Sequence, residues 1–436
     1  MKKNMLSRVS AILTASLLVT GFCTFPEQNA LEAKASGLTG KSATEITSQM
    51  KIGWNLGNSL DCYSEQLDST ATPKEFAESW GNPEPTEELF QAVKEAGFNT
   101  VRIPTTWYQH LGENNQIDED WMAYVKQTVD YAYELGMFVI LNVHHEEWVN
   151  VSTFTDTTLA GTAEILTDVW QQIATTFADY DQHLIFEGMN EPRQTGCGDA
   201  VQWYYNLDSY NNWEYVYEYI DKLNNTFVGA VRNTGGNNAE RLLMLPSYCA
   251  KSDAAKYLNI PTDDEHIAIS VHAYEPYYFA MDENGSAHAF NDSYASDLTS
   301  LFNTLKSISD DKGAPIIIGE FGASNFNDST PETRAAWATD YLTKAKAAGI
   351  TCVLWDNNTL TDNTGHEAHG YFDRENNNVI YDAQQVVIDA MMDVYSDFVE
   401  STETTTTTET TTTSTTTTES TSTSTTKPDT TTESTS

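Results

Sequence analysis

The feature that most restricts how this chain can fold is a repeated alternation of short apolar, β-rich runs with amphipathic stretches. The runs fall at residues 52–56, 100–103, 137–143, 184–187, 242–245, 267–271, 316–319 and 351–354. Helical periodicity occupies 87–96, 121–135, 163–180, 215–231, 296–310 and 331–348 between them. Ala96-Gly97, Leu135-Gly136 and Ala348-Gly349 place a glycine where a helix must end in left-handed backbone. Eight such strands separated by helices predict an α/β fold, a parallel sheet closed into a (β/α)8 TIM barrel. An open doubly wound sheet would want a glycine-rich phosphate loop after its first strand. Gly53-Trp54-Asn55-Leu56-Gly57-Asn58 offers bulky Trp54 and Leu56 there instead. No repeat of 20–50 residues points to a solenoid or propeller.

The two ends are unlike the middle. Met1-Lys2-Lys3 and Arg8 precede an apolar run over 9–19, and Ala33-Lys34-Ala35 follows as a small-residue cleavage site. The run is too short for a membrane span, which needs about 20 apolar residues, and bulky Phe22 before Cys23 argues against a lipoprotein. Residues 1–35 are therefore expected to be a secretory signal, and the product to be extracellular, with no membrane contact after cleavage. Residues 401–436 are almost entirely Thr and Ser and are expected to form an extended linker. Such linkers join modules, so either a further module or cell-surface assembly lies beyond it or the tail is itself the end. Residues 36–400 are left for the barrel.

With 63 acidic against 23 basic residues the formal charge is -40, which repels phosphate backbones and excludes nucleic acid as the expected partner. Once Cys23 leaves with the signal, Cys62, Cys197, Cys249 and Cys352 remain without C-x-x-C spacing, so no zinc site is expected. Cys352 reads as a buried strand residue; Cys62 and Cys197 sit in loops, either as free thiols or as a pair.

Strand C-termini face the active site of a barrel. Here they carry Asn55 and Asn58, Arg102, His144 and His145, Asn190 and Glu191, His272 and Tyr274, Glu320, and Trp355. Glu191 and Glu320 each close a run of buried aliphatics, a costly place for a carboxylate unless it faces a cavity or partner. Two carboxylates converging from opposite strands suit glycosidic cleavage, which needs one acid for the leaving oxygen and one carboxylate for the developing oxocarbenium. Glu187, four residues before Glu191 and roughly 13 Å down an extended strand, is expected to be structural. His144-His145-Glu146-Glu147 is not a zincin motif, because it follows a strand and lacks the H-E-x-x-H order. No metal or other cofactor is expected.

The chain resembles glycoside hydrolase family 5, and within it the endoglucanases of subfamily 4. The resemblance rests on Gly53-Trp54-Asn55-Leu56-Gly57-Asn58, Trp80-Gly81-Asn82-Pro83, Phe98-Asn99-Thr100-Val101-Arg102-Ile103-Pro104, Leu141-Asn142-Val143-His144-His145-Glu146, Asn190-Glu191-Pro192, His272-Ala273-Tyr274, Gly319-Glu320-Phe321-Gly322 and Trp355-Asp356-Asn357. These span about residues 46 to 395, in the family's order on the predicted strand ends. The resemblance implies a retaining endo-β-1,4-glucanase with Glu191 as acid/base and Glu320 as nucleophile. By the same resemblance Arg102 keeps Glu320 ionised, Asn190 bonds the sugar 2-hydroxyl, and Tyr274 orients the nucleophile. His272 stands beside the acid/base, His144 with His145 binds sugar hydroxyls, and Trp355 floors the site. Asn58 and Trp54 are further supporting candidates. Ala273 departs from the bulkier residue often found there. Of Trp54, Trp80, Trp107, Trp148, Trp203 and Trp213, some are expected to pave an open cleft and the rest to be core. The substrate implied is a neutral β-glucan; a xyloglucan-specific enzyme, a β-mannanase and a non-catalytic glucan-binding barrel remain as alternatives.

Overall fold

A computed structural model describes residues 40–197, 202–203, 213–261, 263–282, 288–326, 329–361 and 367–399. The expected signal and the Thr/Ser-rich segment lie outside them. Eight parallel strands close into a barrel: β1 (Gly53–Asn55), β2 (Thr100–Ile103), β3 (Phe138–Asn142), β4 (Leu184–Glu187), β5 (Leu243–Lys251), β6 (Ile267–His272), β7 (Ile316–Phe321) and β8 (Thr351–Leu354), with β8 paired back to β1. A two-stranded antiparallel ribbon, β9 (Phe372–Asp373) and β10 (Val379–Ile380), follows.

The helices are α1 (Ala43–Thr47), α2 (Pro73–Ala77), α3 (Glu87–Glu95), α4 (Glu119–Glu134), α5 (Asp156–Thr176), α6 (Trp213–Arg232), α7 (Tyr277–Ala280), α8 (Asp292–Lys312), α9 (Pro331–Ala348) and α10 (Asp382–Val394). Local chemistry sets their ends. The Asp118 carboxylate accepts the Asp120 and Trp121 N–H groups to start α4, and Thr330 with Pro331 starts α9. Gly349 stops α9 in left-handed backbone at φ 71°. α5 begins earlier than its apolar periodicity because Thr155 and Thr158 form a reciprocal cap ahead of it. Six of the seven strand-to-strand connections carry a helix of nine or more residues and α10 follows β8; between β5 and β6 the single turn Ala255–Tyr257 is the one helical element among the described residues.

Strand residues alternate between the barrel interior and the helical layer. Ile140, Ile185, Met244, Ala268, Ile317 and Val353 form the lower interior, closed beneath by Ala43 and Ile46 of α1 and by Met50. Their neighbours Leu141, Phe186, Ile269, Ile318 and Leu354 pack outward against the helices. One inward step higher the interior turns polar, with Asn142 on β3, Glu187 on β4 and Ser270 on β6, all buried. Strict alternation would send Glu320 outward, two residues after outward Ile318. It does not, because β7 carries a bulge: Val271 pairs with Ile318 but His272 pairs with Glu320. The inserted residue is Gly319, where a Cβ would lie 3.3 Å from Glu187 Oε1 and His272 Nε2 and 3.5 Å from Arg102 Nε.

Candidate active site

Arg102, fully buried on β2, is the hub of the upper barrel. Its Nε donates to Glu187 Oε2 (2.8 Å), Nη1 to Asn55 Oδ1 and Glu320 Oε1 (both 2.9 Å), and Nη2 to Asn190 Oδ1 (2.7 Å). Burial alone would lower its pKa; the Glu187 and Glu320 carboxylates more than reverse that, so the guanidinium is firmly cationic. Glu187 is also held by Asn142 Nδ2 and by the Ser270 hydroxyl. A buried charge is tolerated only when paired and hydrogen-bonded this completely. The structural role expected for Glu187 is what its contacts describe, but its distance from the site is not. β4 ends at Glu187, so residues 188–191 do not continue as strand, and one guanidinium touches both Glu187 and Glu320.

The two candidate carboxylates converge on His272. Its Nδ1 lies 2.8 Å from Glu191 Oε1 and 3.5 Å from Glu320 Oε2, and an oxygen of each carboxylate lies within 4.8 Å of the other. Tyr274 donates its hydroxyl to Glu320 Oε2 at 2.8 Å. Burial, followed by the Glu320 and Glu367 charges, pushes that phenol far up, so it stays a donor. Burial pushes Glu191 up as well, but the His272 hydrogen bond and charge, with Arg193 and Arg102, outweigh it and hold the carboxyl below its ordinary value. Burial lowers His272, yet Glu320 and Glu191 raise it above the usual imidazole. Both shifts run in the direction that draws a proton shared by the pair toward His272. Asn190 turns its oxygen to Arg102, which leaves its amide nitrogen as a donor directed elsewhere.

His144, buried on the loop after β3, and the partly buried His145 meet edge to face with centroids 4.4 Å apart. Burial, with neighbouring His145 and Arg102, keeps His144 neutral, and burial lowers His145 to about 4. Asp61 joins these two as a cluster whose ligand-type atoms lie within 4.8 Å of one another. The donor set does not suit a cation. Asp61 already accepts the Asn58 and Ser59 N–H groups, and His144 Nδ1 takes the Asn142 amide. Glu191, His272 and Glu320 cluster as closely, but His272, Arg102 and Tyr274 already occupy the carboxylate oxygens.

The rim corrects part of the aromatic reading. Trp54 does not reach the cleft: it is fully buried, its Nε1 donates to Asp356 Oδ2 (2.8 Å), and Phe90, Phe372 and Arg374 enclose the ring. Trp107 is equally buried, bonded to Asn142 O. Trp80 and Tyr63 are exposed, 5.1 Å apart, and each stands 5.7 Å from His145. On the other flank Arg193, whose Nη1 lies 3.7 Å from Glu191 Oε2, sits 3.8 Å over the exposed Trp203 ring. Trp148 is partly buried against the core, and the side chain of Trp213 lies outside the described residues. Trp355 lies parallel to His144 at 6.2 Å, and a Cβ on Gly57 would lie only 2.8 Å from its ring atoms. For Asn58 the contacts are of the backbone: left-handed at φ 55°, it donates its N–H to Asp61 and accepts from Asn82 Nδ2. Asn82 thereby ties the β1 loop to the β8 loop at Asn357. Cys62, Cys197, Cys249 and Cys352 are all free thiols, so Cys62 and Cys197 do not pair. Sequence reasoning passed over Asn142, Ser270 and Arg193; the first two were detectable as polar residues in phase with inward apolar ones.

Residues 61–361 match the profile described as cellulase (glycosyl hydrolase family 5). Endoglucanase A of Clostridium longisporum is 37% identical over 416 residues, covering 93% of this chain and 76% of that protein. The structure of a GH5-4 broad specificity endoglucanase from Ruminococcus flavefaciens superposes with a TM-score of 0.74 at 43% identity, covering 81% of this chain and 98% of that one. A GH5-4 broad specificity endoglucanase from Ruminococcus champanellensis with bound cellotriose gives 0.73 at 37% identity, covering 80% and 98%.

Proposed function

The chain belongs to the cellulases of glycosyl hydrolase family 5, and from that footing we propose that Glu191 and Glu320 cleave internal bonds of β-1,4-glucans by double displacement. The protein is a glycoside hydrolase with endo-β-1,4-glucanase activity, and retention is general to its family. The observation that carries the residue assignment is the approach of the two carboxylates to within 4.8 Å, bridged by one imidazole. So close an approach of their oxygens suits the roughly 5–5.5 Å carboxyl separation of a retaining site better than the roughly 6.5–9.5 Å of an inverting one.

Glu320 attacks the anomeric carbon, held by Arg102 Nη1 and the Tyr274 hydroxyl, one donor on each oxygen. A bound glucan covers the cleft and excludes water from Glu191, which raises its proton affinity. The proton of the pair then crosses the 2.8 Å hydrogen bond from His272 Nδ1 to Glu191 and passes to the leaving oxygen. Once Glu320 is a glycosyl ester its negative charge is gone. Glu191, now a carboxylate, takes a proton from the water that releases the sugar and regenerates Glu320. The Asn190 amide is the donor available to a ring hydroxyl.

Aromatic surfaces on both flanks, Trp80 with Tyr63 and Trp203 with Arg193, support an open cleft that grips a long chain on either side of the bond. We take cellulose and mixed-linkage glucan as substrates, with xyloglucan and mannan as the competing polymers. The leader-like residues 1–35 support export to the extracellular space, and the Thr/Ser-rich 401–436 support a tether to a further module or surface assembly.

Azide rescue on an aryl cellobioside tests the roles. Glu191→Ala with azide should yield the β-azide, formed by attack on the glycosyl ester; Glu320→Gly with azide should yield the α-azide. Exchange of the two products would reverse the assignment, and no rescue of either would remove it. Reducing-sugar release from carboxymethylcellulose, barley β-glucan, xyloglucan and mannan ranks the polymers.

A further inference from the structure

We propose that Asn142 is a positioning residue that fixes the proton of His144 on Nε2, so that His144 meets the sugar as a hydrogen-bond donor. The inference rests on the glucanase reading for its ligand, a sugar hydroxyl at the cleaved position, but its geometry stands without it.

Backbone N–H groups only donate, and Thr105 N–H points at Asn142 Oδ1 at 3.0 Å. That fixes which end of the buried amide is oxygen, and the amide cannot be turned over without facing N–H to N–H. The nitrogen end therefore points at its two other neighbours, His144 Nδ1 and Glu187 Oε2, both at 3.0 Å. Nδ2 has two hydrogens, and both are committed. Glu187 Oε2 also accepts from Arg102, so it supplies no proton of its own. His144 Nδ1 must accept, and a neutral imidazole that accepts at Nδ1 carries its hydrogen on Nε2.

The strand geometry makes this arrangement possible. Asn142 is the last residue of β3 and His144 lies two positions on, in phase with it. Asn142 is fully buried, so no water competes for its amide. The backbone donor that sets the whole relay comes from the neighbouring β2 loop, and that loop is itself zipped to His144, whose N–H donates to Thr105 O at 2.8 Å. The Trp107 indole closes the other side on Asn142 O. A protonated His144 would need a second hydrogen on Nδ1, directed at the Asn142 N–H, so the relay disfavours the cation in the same direction as burial and the nearby Arg102 charge. A leucine at 142 would fill the same space and leave both tautomers open.

Nitrogen-15 NMR of the histidine-labelled enzyme without substrate tests this, with His144→Gln supplying the assignment. The wild type should show His144 as the pure Nε2–H tautomer, unchanged from pH 5 to 8. Asn142→Leu should populate the Nδ1–H form and lower kcat/KM on an aryl cellobioside roughly threefold to tenfold, the worth of one neutral hydrogen bond. A wild-type proton on Nδ1, or on both nitrogens, overturns the proposal whether or not the variant folds. So does a folded Asn142→Leu enzyme whose His144 remains purely Nε2–H. Because the spectrum is read without substrate, inactivity on every glucan would sink the substrate reading and leave the tautomer result standing.

Discussion

Replacing Glu146 by Gln should flatten the dependence of stability on pH. Glu146 follows His145 in a loop that packs on the β2 loop, is 1% exposed, and accepts the Trp107 N–H at 2.6 Å. Burial pushes its carboxyl up to about 8, against the opposing pull of the Trp107 N–H and the Trp148 indole. The unfolded chain exposes an ordinary carboxyl near 4.5. Between those values the unfolded state releases the proton and the native state keeps it. This group's contribution is therefore complete below pH 4.5, falls as pH rises, and is fully lost above 8. Over pH 5 to 8 the loss amounts to roughly 3–4 kcal/mol, at about 1.4 kcal/mol per unit after allowing for partial titration at each end. Glutamine is a fixed neutral analogue. Urea unfolding at pH 5, 6, 7 and 8 should show wild type losing stability relative to Glu146→Gln steadily across the series. Parallel curves for the two proteins would mean that Glu146 is already ionised in the native loop and that its burial does not hold the proton.

Gly319→Ala should cut kcat/KM at least tenfold while the protein still folds, because its Cβ would crowd Glu187, His272 and Arg102 at 3.3–3.5 Å; kinetics beside a thermal melt separate the two effects, and full activity would contradict it. Arg193→Gln should move the alkaline limb of kcat/KM to higher pH, since Arg193 is one of the charges that hold Glu191 low and its loss lets the acid keep its proton longer; a pH profile on an aryl cellobioside reads the direction.

Much of the fold was legible because burial leaves its mark on composition. All eight barrel strands overlap the apolar runs, and 100–103, 184–187 and 351–354 match to the residue. What was not legible depends on phase and on tertiary contacts. Glu320 ends an apolar run, but nothing local states that Gly319 is an extra residue that rotates it inward. Trp54 reads as a cleft aromatic by its loop-like motif; its burial depends on Asp356, some 300 positions away in sequence, receiving the indole N–H. The depth expected of Glu187 assumes a straight strand through to Glu191, whereas β4 ends at Glu187 and the chain bends after it. The β5 extension to Lys251 includes left-handed Cys249 and Ala250, a conformation that residue types other than glycine do not advertise.

Double displacement requires Glu320 to become covalently bonded to the sugar. Incubation with an activated 2-deoxy-2-fluorocellobioside slows formation of the glycosyl ester and slows its hydrolysis more, so that the ester accumulates. Mass spectrometry of the peptic digest should then place one fluorocellobiosyl group on the peptide containing Glu320, with stoichiometric loss of activity. A label on Glu191 or elsewhere, or inactivation without any covalent mass, would rule out Glu320 as the nucleophile.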